Sequence, residues 1–226
     1  MDIEICAASP LFAGMSAADI AATLDCLRAV RAGYERGESV FRVGDTITQL
    51  GLVLTGSVLI ENDDIWGNRS ILSRVGPGQI FGETYACLEG EPLLISAVAA
   101  ERTQVLLMSA AQLRRPCARA CARHGRLLAN LLDISARKNL ALSRRILHTS
   151  SKTIRGRLLS YFSELARQTG SHTVVVPFDR QQLADYLGVD RSALSSELGR
   201  MQRDGLLTYR RNEFCLSGAV DAQAEP

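Results

Sequence analysis

Two cysteines and one histidine are spaced so that they can share one face of a helix. Cys117, Cys121 and His124 stand at positions i, i+4 and i+7, and residues with these spacings are neighbours on a helix surface. Thiolates and an imidazole can bind zinc or react with oxidants. A fourth ligand is missing, and cysteines also pack as small apolar side chains. We therefore expect no metal site, and metal binding or oxidant sensing by these residues is the alternative.

Polar residues further along the chain follow the pattern of a helix-turn-helix. Asp179 can cap a first helix, which Gly188 can end in the left-handed conformation. Asp190 can cap a second helix, which runs from Arg191 to about Asp204. The caps, the turn and the apolar residues between them together predict two helices that cross at a steep angle.

Such a motif can bind DNA. The second helix fits the major groove, which is about 12 Å wide, with its N-terminal side chains at the base edges. We expect Arg191 to read a base and Arg180, at the start of the first helix, to hold a phosphate. The full set of expected DNA contacts is Arg180, Gln181, Arg191, Ser192, Ser195, Ser196 and Arg200. A helical hairpin that serves only protein contacts is the alternative.

The flanking residues predict the winged form of this motif. Before it, apolar residues repeat at helical spacing over residues 154–165 and stop near Gly170, with residues 149–151 as candidate caps. Residues 174–178 are typical of a strand. After the motif, residues 205–214 predict a closing hairpin.

Residues 1–108 predict a domain of many short strands. Ten of the 18 glycines lie within residues 33–90, where they separate short apolar runs such as 50–54 and 58–60. Glycine beside small polar residues, as at 55–57, marks a tight turn. Short strands with closely spaced turns are typical of a β-roll of the jelly-roll kind.

Residues 109–148 predict a region that consists mainly of one long helix. Pro116 can open this helix, because its missing N–H has no cost in a first turn. Leu127, Leu131 and Ile134 form an apolar seam at helical spacing. A seam of this kind commonly packs against its copy, which predicts a homodimer. Packing of the seam on its own β domain is the alternative.

Charge is distributed unevenly along the chain. Residues 1–108 have a net charge of −7, residues 109–148 of +8 and residues 149–215 of +3. A basic C-terminal part is the distribution expected of a chain that faces a polyanion. These divisions predict an α+β protein with three parts: a β-roll over 1–108, a long helix over 109–148 and a winged helix-turn-helix over 149–226.

Other classes fit the sequence less well. No apolar run approaches the roughly 20 residues that span a bilayer, and the acidic N-terminus lacks the basic start of a signal peptide. We therefore expect a cytoplasmic protein with no membrane partner. Metal-dependent enzymes built on a β-roll need several histidines on the strands, whereas the first histidine here is His124. No catalytic set can be identified, so no enzyme is expected.

Five segments resemble the Crp/Fnr superfamily of bacterial transcription regulators. They are residues 9–12, 41–45, 53–58, 78–83 (Gly-Gln-Ile-Phe-Gly-Glu) and 180–188 (Arg-Gln-Gln-Leu-Ala-Asp-Tyr-Leu-Gly), and the last two are the most specific. The resemblance covers nearly the whole chain. It implies an effector-binding β-roll, a dimerisation helix and a winged helix, with double-stranded DNA, a second copy of the chain and RNA polymerase as partners.

The resemblance also implies an effector site in the β-roll, formed by Gly82, Glu83, Thr84, Tyr85 and Ser96. In the family's cyclic-AMP receptor an Arg-Ser pair binds the nucleotide phosphate. Here Ile95 stands in the place of that arginine, and residues 75–101 contain no Lys or Arg. An unpaired buried charge is costly, so we expect cyclic AMP not to be the effector.

Two further departures from the family pattern bear on function. The iron–sulfur branch needs a tight N-terminal cysteine cluster, which Cys6 and Cys26 alone do not supply, so no iron–sulfur cluster is expected. The effector is unknown, and a haem or a neutral small molecule fits the apolar lining. Ser192 and Ser196 replace the family's base-reading Glu and Arg, which predicts a different operator. A regulator that senses redox or metal through the two cysteines 117 and 121 is the alternative.

Overall fold

The computed structural model describes residues 3–63, 69–88, 90–114 and 122–217. The chain divides into two compact units, Met1–Ala136 and Arg137–Pro226. The helices are α1 Ile3–Ala8, α2 Ala17–Cys26, α3 Glu83–Cys87, α4 Ala110–Arg114, α5 Ala122–Thr149, α6 Ile154–Thr169, α7 Arg180–Leu187 and α8 Arg191–Arg203. The strands are β1 Val30–Tyr34, β2 Ser39–Phe41, β3 Gln49–Thr55, β4 Val58–Asp63, β5 Arg69–Val75, β6 Ile80–Phe81, β7 Ser96–Ala99, β8 Thr103–Ser109, β9 Thr173–Val175, β10 Leu207–Arg210 and β11 Glu213–Leu216.

Two four-stranded antiparallel sheets form the β-roll of the first unit. Their strand orders are β1-β8-β3-β6 and β2-β7-β4-β5. Because side chains alternate along a strand, β3 serves two cores. Leu50, Leu52 and Leu54 pack against the helices, whereas Val53 faces the interior of the roll. The predicted α+β architecture, with a roll, a long helix and a C-terminal helix-turn-helix, is confirmed.

The tight turn expected at residues 55–57 joins two sheets rather than two paired strands. Gly56 has φ +76°, and a Cβ there would lie 2.5 Å from Thr103 Oγ1. The Ser57 N–H donates to the same hydroxyl at 3.2 Å. β3 then pairs with β8, and β4 pairs with β5 and β7. The turn therefore passes the chain from one layer of the roll to the other, and only glycine fits its contact with Thr103.

The N-terminal part of α5 packs into its own unit. Leu127 and Leu131 are buried in the cluster that also contains α1, α2 and the first sheet, and Ile134 packs against it. The prediction that Leu127 and Leu131 form a dimer seam is therefore wrong, whereas for the partly buried Ile134 it stays a prediction. Helical spacing identified an apolar face correctly, but the β-roll covers that face. The neighbouring residues Leu128 and Leu132 are exposed instead. Pro116, the expected start of the helix, lies outside the described residues.

The second unit contains the three-stranded sheet β10-β11-β9 and the helices around it. α6 is capped by Thr153, whose hydroxyl accepts from the Gly156 N–H at 3.0 Å. The candidate caps at 149–151 are therefore wrong, because α5 continues to Thr149 and the Thr149 hydroxyl donates back to the Arg145 carbonyl at 2.8 Å. Gly170 ends α6 in the left-handed conformation, as expected.

The core of this unit lies between α6, α7, α8 and the sheet. It is built from Leu158, Phe162, Val174, Leu183, Leu187, Leu194, Leu198, Met201 and Phe214, all of them buried. The strand expected near residues 174–178 and the closing hairpin are both present, as β9 and as the β10–β11 pair. Within the described part of the chain, no helix combines the length and apolarity that crossing a bilayer requires.

Candidate functional site

Local hydrogen bonds define the helix-turn-helix. Asp179 and Gln182 form a reciprocal capping box at the start of α7, with bonds of 2.8 and 2.9 Å. Gly188 follows α7 with φ +63°, the left-handed conformation that favours glycine. The Asp190 carboxylate accepts from the N–H groups of Ser192 and Ala193 and caps α8. The expected motif is confirmed, with its turn over residues 188–190.

Two arginines hold the C-terminal end of α7 from outside the motif. Arg145 on α5 donates to the carbonyls of Asp185 and Tyr186, each at 3.0 Å. Arg157 on α6 donates to the carbonyls of Leu187 and Gly188 at 2.8 and 3.0 Å. The last carbonyls of a helix carry its negative dipole end, which attracts cations, and of these four the Asp185 carbonyl also accepts from the Gly188 N–H at 3.3 Å. Sequence reasoning missed both arginines, because the contacts join residues 30 to 41 positions apart.

The two faces of α8 differ sharply. Leu194, Leu198 and Met201 are buried in the core. The opposite face, near the N-terminus of the helix, exposes Arg191, Ser192, Ser195 and Ser196. The structure therefore brings these four expected DNA-contact residues to one solvent-facing surface.

One of these residues is engaged within the motif. The Ser192 hydroxyl donates to the Asp190 carboxylate at 2.5 Å. This bond and the two backbone N–H bonds hold the pKa of Asp190 below its ordinary value of 3.8. Ser192 thus contributes to the cap of α8, and Arg191, Ser195 and Ser196 make no such contact with Asp190.

An ion-pair network lies along the side of α8. Glu197 accepts from Arg155 at 2.6 Å and from Arg200 at 3.1 Å, and Arg155 also pairs with Asp204 at 2.7 Å. The hydrogen bond from Arg155 holds the pKa of Glu197 below its ordinary value. The acidic side chain of Glu197 is thereby neutralised on a helix that is otherwise basic. Arg200, an expected DNA contact, is exposed and paired with Glu197.

Arg180 and Gln181 lie at the start of α7. The Arg180 guanidinium lies over the rings of Tyr209 and Phe214, 5.1 and 5.4 Å from their centroids, and burial lowers its pKa. Gln181 is exposed, and its amide donates to Asp185 at 2.8 Å. The cation–π contact connects α7 to the β10–β11 hairpin.

The tip of the β10–β11 hairpin carries two arginines that sequence reasoning did not select. Arg210 and Arg211 are exposed, and Arg211 has φ +57°. The carbonyl of Arg211 accepts from Arg180 at 3.3 Å. Two adjacent arginines in a predicted hairpin turn are a sequence pattern that could have identified them. They place two cations at the tip of this hairpin.

The expected effector residues lie around the junction of β6 and α3. Gly82 has φ +74°, and a Cβ there would come within 2.9 Å of the Phe41 ring, so the loop packs directly on β2. Glu83 is buried, Thr84 is exposed and Tyr85 is half-buried against the core of the roll. A carboxyl group is therefore held inside the roll at the position that the family motif marks.

Ser96 lies at the start of β7. This strand pairs with β2, the strand whose Phe41 contacts Gly82. Its hydroxyl accepts from the Val43 N–H at 3.1 Å. Before Ser96, Leu93 is buried in the core of the roll and Leu94 is exposed. Leu93 thus adds to the apolar core of the roll before this strand, whereas Ser96 itself pairs across the sheet with the buried Glu61.

Arg74 is the basic residue that precedes this region in the chain. It donates to the Ser57 hydroxyl at 3.0 and 2.8 Å and pairs with Glu101 at 3.0 Å. Hydrogen bonds from Ser57 and Arg74 hold the pKa of Glu101 below its ordinary value. The guanidinium is therefore already committed to a hydroxyl and a carboxylate of its own unit.

The possible metal ligands are only partly described. Cys117 and Cys121 lie outside the described residues. His124 is buried, and its Nε2 lies 3.7 Å from the Sγ of Cys26. Among the residues that the structure describes, no group of three or more His, Cys, Asp or Glu side chains could hold a metal ion. The contact between Cys26 and His124 was not expected from the sequence, since 98 residues separate them.

Two family models match the chain, and they cover the two sites just described. The cyclic nucleotide-binding domain matches residues 31–120, and the Crp-like helix-turn-helix domain matches residues 156–217. The chain belongs to the Crp/Fnr superfamily. Its members are transcription regulators that bind DNA and are dimeric.

Individual members resemble this chain over different lengths. The cyclic AMP receptor protein of Thermus thermophilus is 35% identical over 100 residues, which are 44% of this chain and 45% of that protein. The CRP-like cAMP-activated global transcriptional regulator of Mycobacterium tuberculosis is 23% identical over 226 residues, 95% of each chain. The chain spans less than half the length of the first curated relatives that it matches.

A solved member of the superfamily shares the fold. The structure of the c-di-GMP responsive global regulator CLP of Xanthomonas campestris aligns with a TM-score of 0.58 and 22% identity, over 90% of this chain and all of that one. At this identity the likeness concerns the fold alone.

Proposed function

We propose that this Crp/Fnr chain is a sequence-specific DNA-binding transcription regulator that acts as a homodimer. The observation that carries the proposal is the exposed face of α8, where Arg191, Ser195 and Ser196 project from a helix whose other face is buried. Such a helix can enter a major groove, and two copies would read half-sites one DNA turn apart, roughly 34 Å. The neutralised Glu197 and the cations of Arg210 and Arg211 favour a phosphate backbone beside it.

Selection from random DNA tests this proposal. The full chain should enrich a two-part site, and Arg191→Ala should relax preference at one position of each half, because a good base contact discriminates by about 1–3 kcal/mol. Arg203→Ala removes the same charge from the exposed last turn of α8 and serves as the control. The control should weaken all sequences alike. If both variants lost DNA affinity equally for all sequences, Arg191 would not be the base reader. If the unaltered chain enriched no sequence, the proposed function would be contradicted.

The dimer would form through a second stripe of α5, next to the buried one. Successive positions in this stripe are four and three residues apart in turn, as in a coiled coil. The stripe consists of Leu128, Leu132, Ser135, Asn139, Leu142 and Ile146. Leu132, Leu142 and Ile146 are 71%, 62% and 67% exposed in the single chain, which is unusual for three large apolar residues on one face. Asn139 in the middle would set the register of two parallel helices.

An effector would act on the β-roll and shift the dimer between a DNA-binding and a non-binding state. We propose a neutral or largely apolar small molecule as the effector, or else a haem, whose large apolar ring would be buried. The lack of Lys and Arg in residues 75–101 disfavours an anionic ligand. Titration calorimetry with cyclic AMP should show no micromolar binding, and binding that also raised DNA affinity would overturn this part. RNA polymerase is the further partner that we propose.

A second candidate is a regulator that responds to oxidants or metal. The contact of Cys26 with His124 favours it, since a sulfur and an imidazole side by side can share a metal. Elemental analysis of the purified chain and DNA binding after peroxide treatment test this candidate. Stoichiometric zinc, or a peroxide effect that Cys26→Ser abolishes, would favour it over a small-molecule effector.

A further inference from the structure

The last turns of α5 contact the helix-turn-helix through a polar cluster. Arg145 binds the Asp185 and Tyr186 carbonyls at the end of α7, and its guanidinium lies 5.7 Å from the centroid of the Tyr186 ring. One turn later, His148 lies 2.8 Å from the Tyr186 hydroxyl. Both side chains therefore reach the same residue of α7, one at its backbone and one at its side chain.

The partners of His148 fix its proton arrangement. Its Nε2 lies 2.6 Å from the Glu164 carboxylate, which can only accept, so Nε2 donates. In the neutral ring, Nδ1 then accepts from the Tyr186 hydroxyl. Glu164, on α6, also accepts from Arg144 at 3.0 Å and from Gln168 at 2.6 Å. The buried imidazole thus connects α5 to α6 and α7 by directed bonds.

Aromatic rings enclose this cluster. The Tyr161 ring packs edge-on against His148, with centroids 5.3 Å apart, and Phe178 stacks on Tyr186 at 5.1 Å. Burial raises the pKa of both tyrosines, so the Tyr186 hydroxyl keeps its proton and remains a donor. Charge-assisted bonds in such a partly dry setting are stronger than exposed ones.

We propose that Arg145 and His148 are positioning residues that fix the direction of α7, and hence of the recognition helix α8, relative to the end of α5. This inference rests on the proposed DNA-binding function. If two α5 helices pair in the dimer, the cluster ties each recognition helix to that pair, and the dimer accepts only one spacing of half-sites. Hydrogen bonds can transmit such a direction because their strength depends on angle as well as distance.

Arg157 provides a matched control. It also donates to carbonyls at the end of α7, but from α6, within the DNA-binding domain itself, and its other bond goes to the Ser151 carbonyl in the loop after α5 rather than to the helix α5. Loss of Arg157 should weaken the domain without releasing it from α5. Loss of Arg145, or of the Tyr186 hydroxyl that donates a hydrogen bond to His148, should instead loosen the connection to α5. The capped motif of α7 and α8 should stay in place.

The test measures how DNA affinity depends on half-site spacing. The operator that the unaltered chain selects is compared with versions that have one base pair added or removed, which turns the second half-site by about 34°. The preference of the unaltered chain for its own spacing should fall by at least about tenfold in Arg145→Gln combined with Tyr186→Phe, because the two changes remove three hydrogen bonds and a single bond to a charged group is already worth about that factor. Circular dichroism checks that the variants are folded, and sedimentation velocity checks that they are dimeric.

Arg157→Gln should lower affinity for all three spacings by the same factor and leave the preference unchanged. If Arg145→Gln with Tyr186→Phe also lowered all affinities equally, the cluster would be structural only and the inference would be wrong. The same holds if Arg157→Gln lost the spacing preference as strongly. Failure of the DNA-binding proposal would look different, since the unaltered chain would then select no operator.

Discussion

The two ends of α5 are held in different ways. Near its start, Leu127 and Leu131 are buried in an apolar cluster with the β-roll. Near its end, Ile146 is exposed, and the contacts with neighbouring helices come from the polar side chains of Arg145 and His148. One helix thus combines an apolar attachment in the first unit with a hydrogen-bonded attachment in the second.

The difference matters because the two kinds of contact constrain different quantities. Apolar burial stabilises in proportion to area and has little directional preference. A hydrogen bond contributes less, about 1 kcal/mol, but requires a particular angle. The first end of α5 is therefore expected to carry most of the stability, and the second end most of the orientation.

The largest effect should follow from shortening the buried side chain. Leu127 is fully buried, and Leu127→Ala should reduce the free energy of unfolding of the first unit by about 2–5 kcal/mol, from lost burial and a residual cavity. Urea unfolding measures this. Leu140→Ala, on an exposed face of the same helix, should cost less than about 0.5 kcal/mol. Equal effects would show that the apolar attachment is not where the stability lies.

A charge on the exposed stripe should break the dimer. Leu142→Glu would place an unpaired carboxylate in the helix pair and cost about 3 kcal/mol of dimer stability. Sedimentation velocity should then show a folded monomer. Leu140→Glu adds the same charge away from the stripe and should remain dimeric. A dimeric Leu142→Glu chain, or a monomeric Leu140→Glu chain, would contradict the proposed seam.

The cap of α7 should have a smaller effect. Asp179→Ala removes the acceptor of the capping box and should cost about 1 kcal/mol of stability in the second unit. Asp179→Ser keeps an acceptor and should restore most of it. Thermal unfolding followed by circular dichroism measures both variants, and an equal loss in the serine variant would mean that the cap acts through charge.

The smallest effect concerns pH. Because the pKa of Asp190 is lower in the folded chain than its ordinary value of 3.8, its bonds stabilise the fold above that value, and the contribution is lost as pH falls through the lowered pKa. Ser192→Ala removes the strongest of these bonds and should move the pKa of Asp190 upward. NMR titration of the Asp190 carboxyl measures the shift, with Ser195→Ala as the control that should leave it unchanged.

Local features of the second unit could be predicted from the sequence. The capping residues Asp179 and Asp190 and the left-handed Gly188 act within three or four residues of their own position, so their types and spacing are sufficient. The prediction of the α6 cap failed because residues 149–151 are also of capping types and precede Thr153. Where α5 ends decides which of these residues can cap α6. That length depends on packing rather than on any single residue.

Long-range features could not be predicted in the same way. Periodicity showed that Leu127 and Leu131 share a face, but it does not show whether a β-roll or a second chain covers that face. The arginines that hold the end of α7 and the contact between Cys26 and His124 depend on which elements become neighbours. The expected DNA contacts, effector residues and effector class stay predictions.

The exposed face of α8 has a consequence for how the operator could change over evolution or by design. Arg191, Ser195 and Ser196 lie outside the buried core, so most replacements there should alter stability by no more than about 0.5 kcal/mol. A library that varies these three positions should therefore fold almost throughout. New operator preferences could then arise in single steps, without compensating changes elsewhere in the chain.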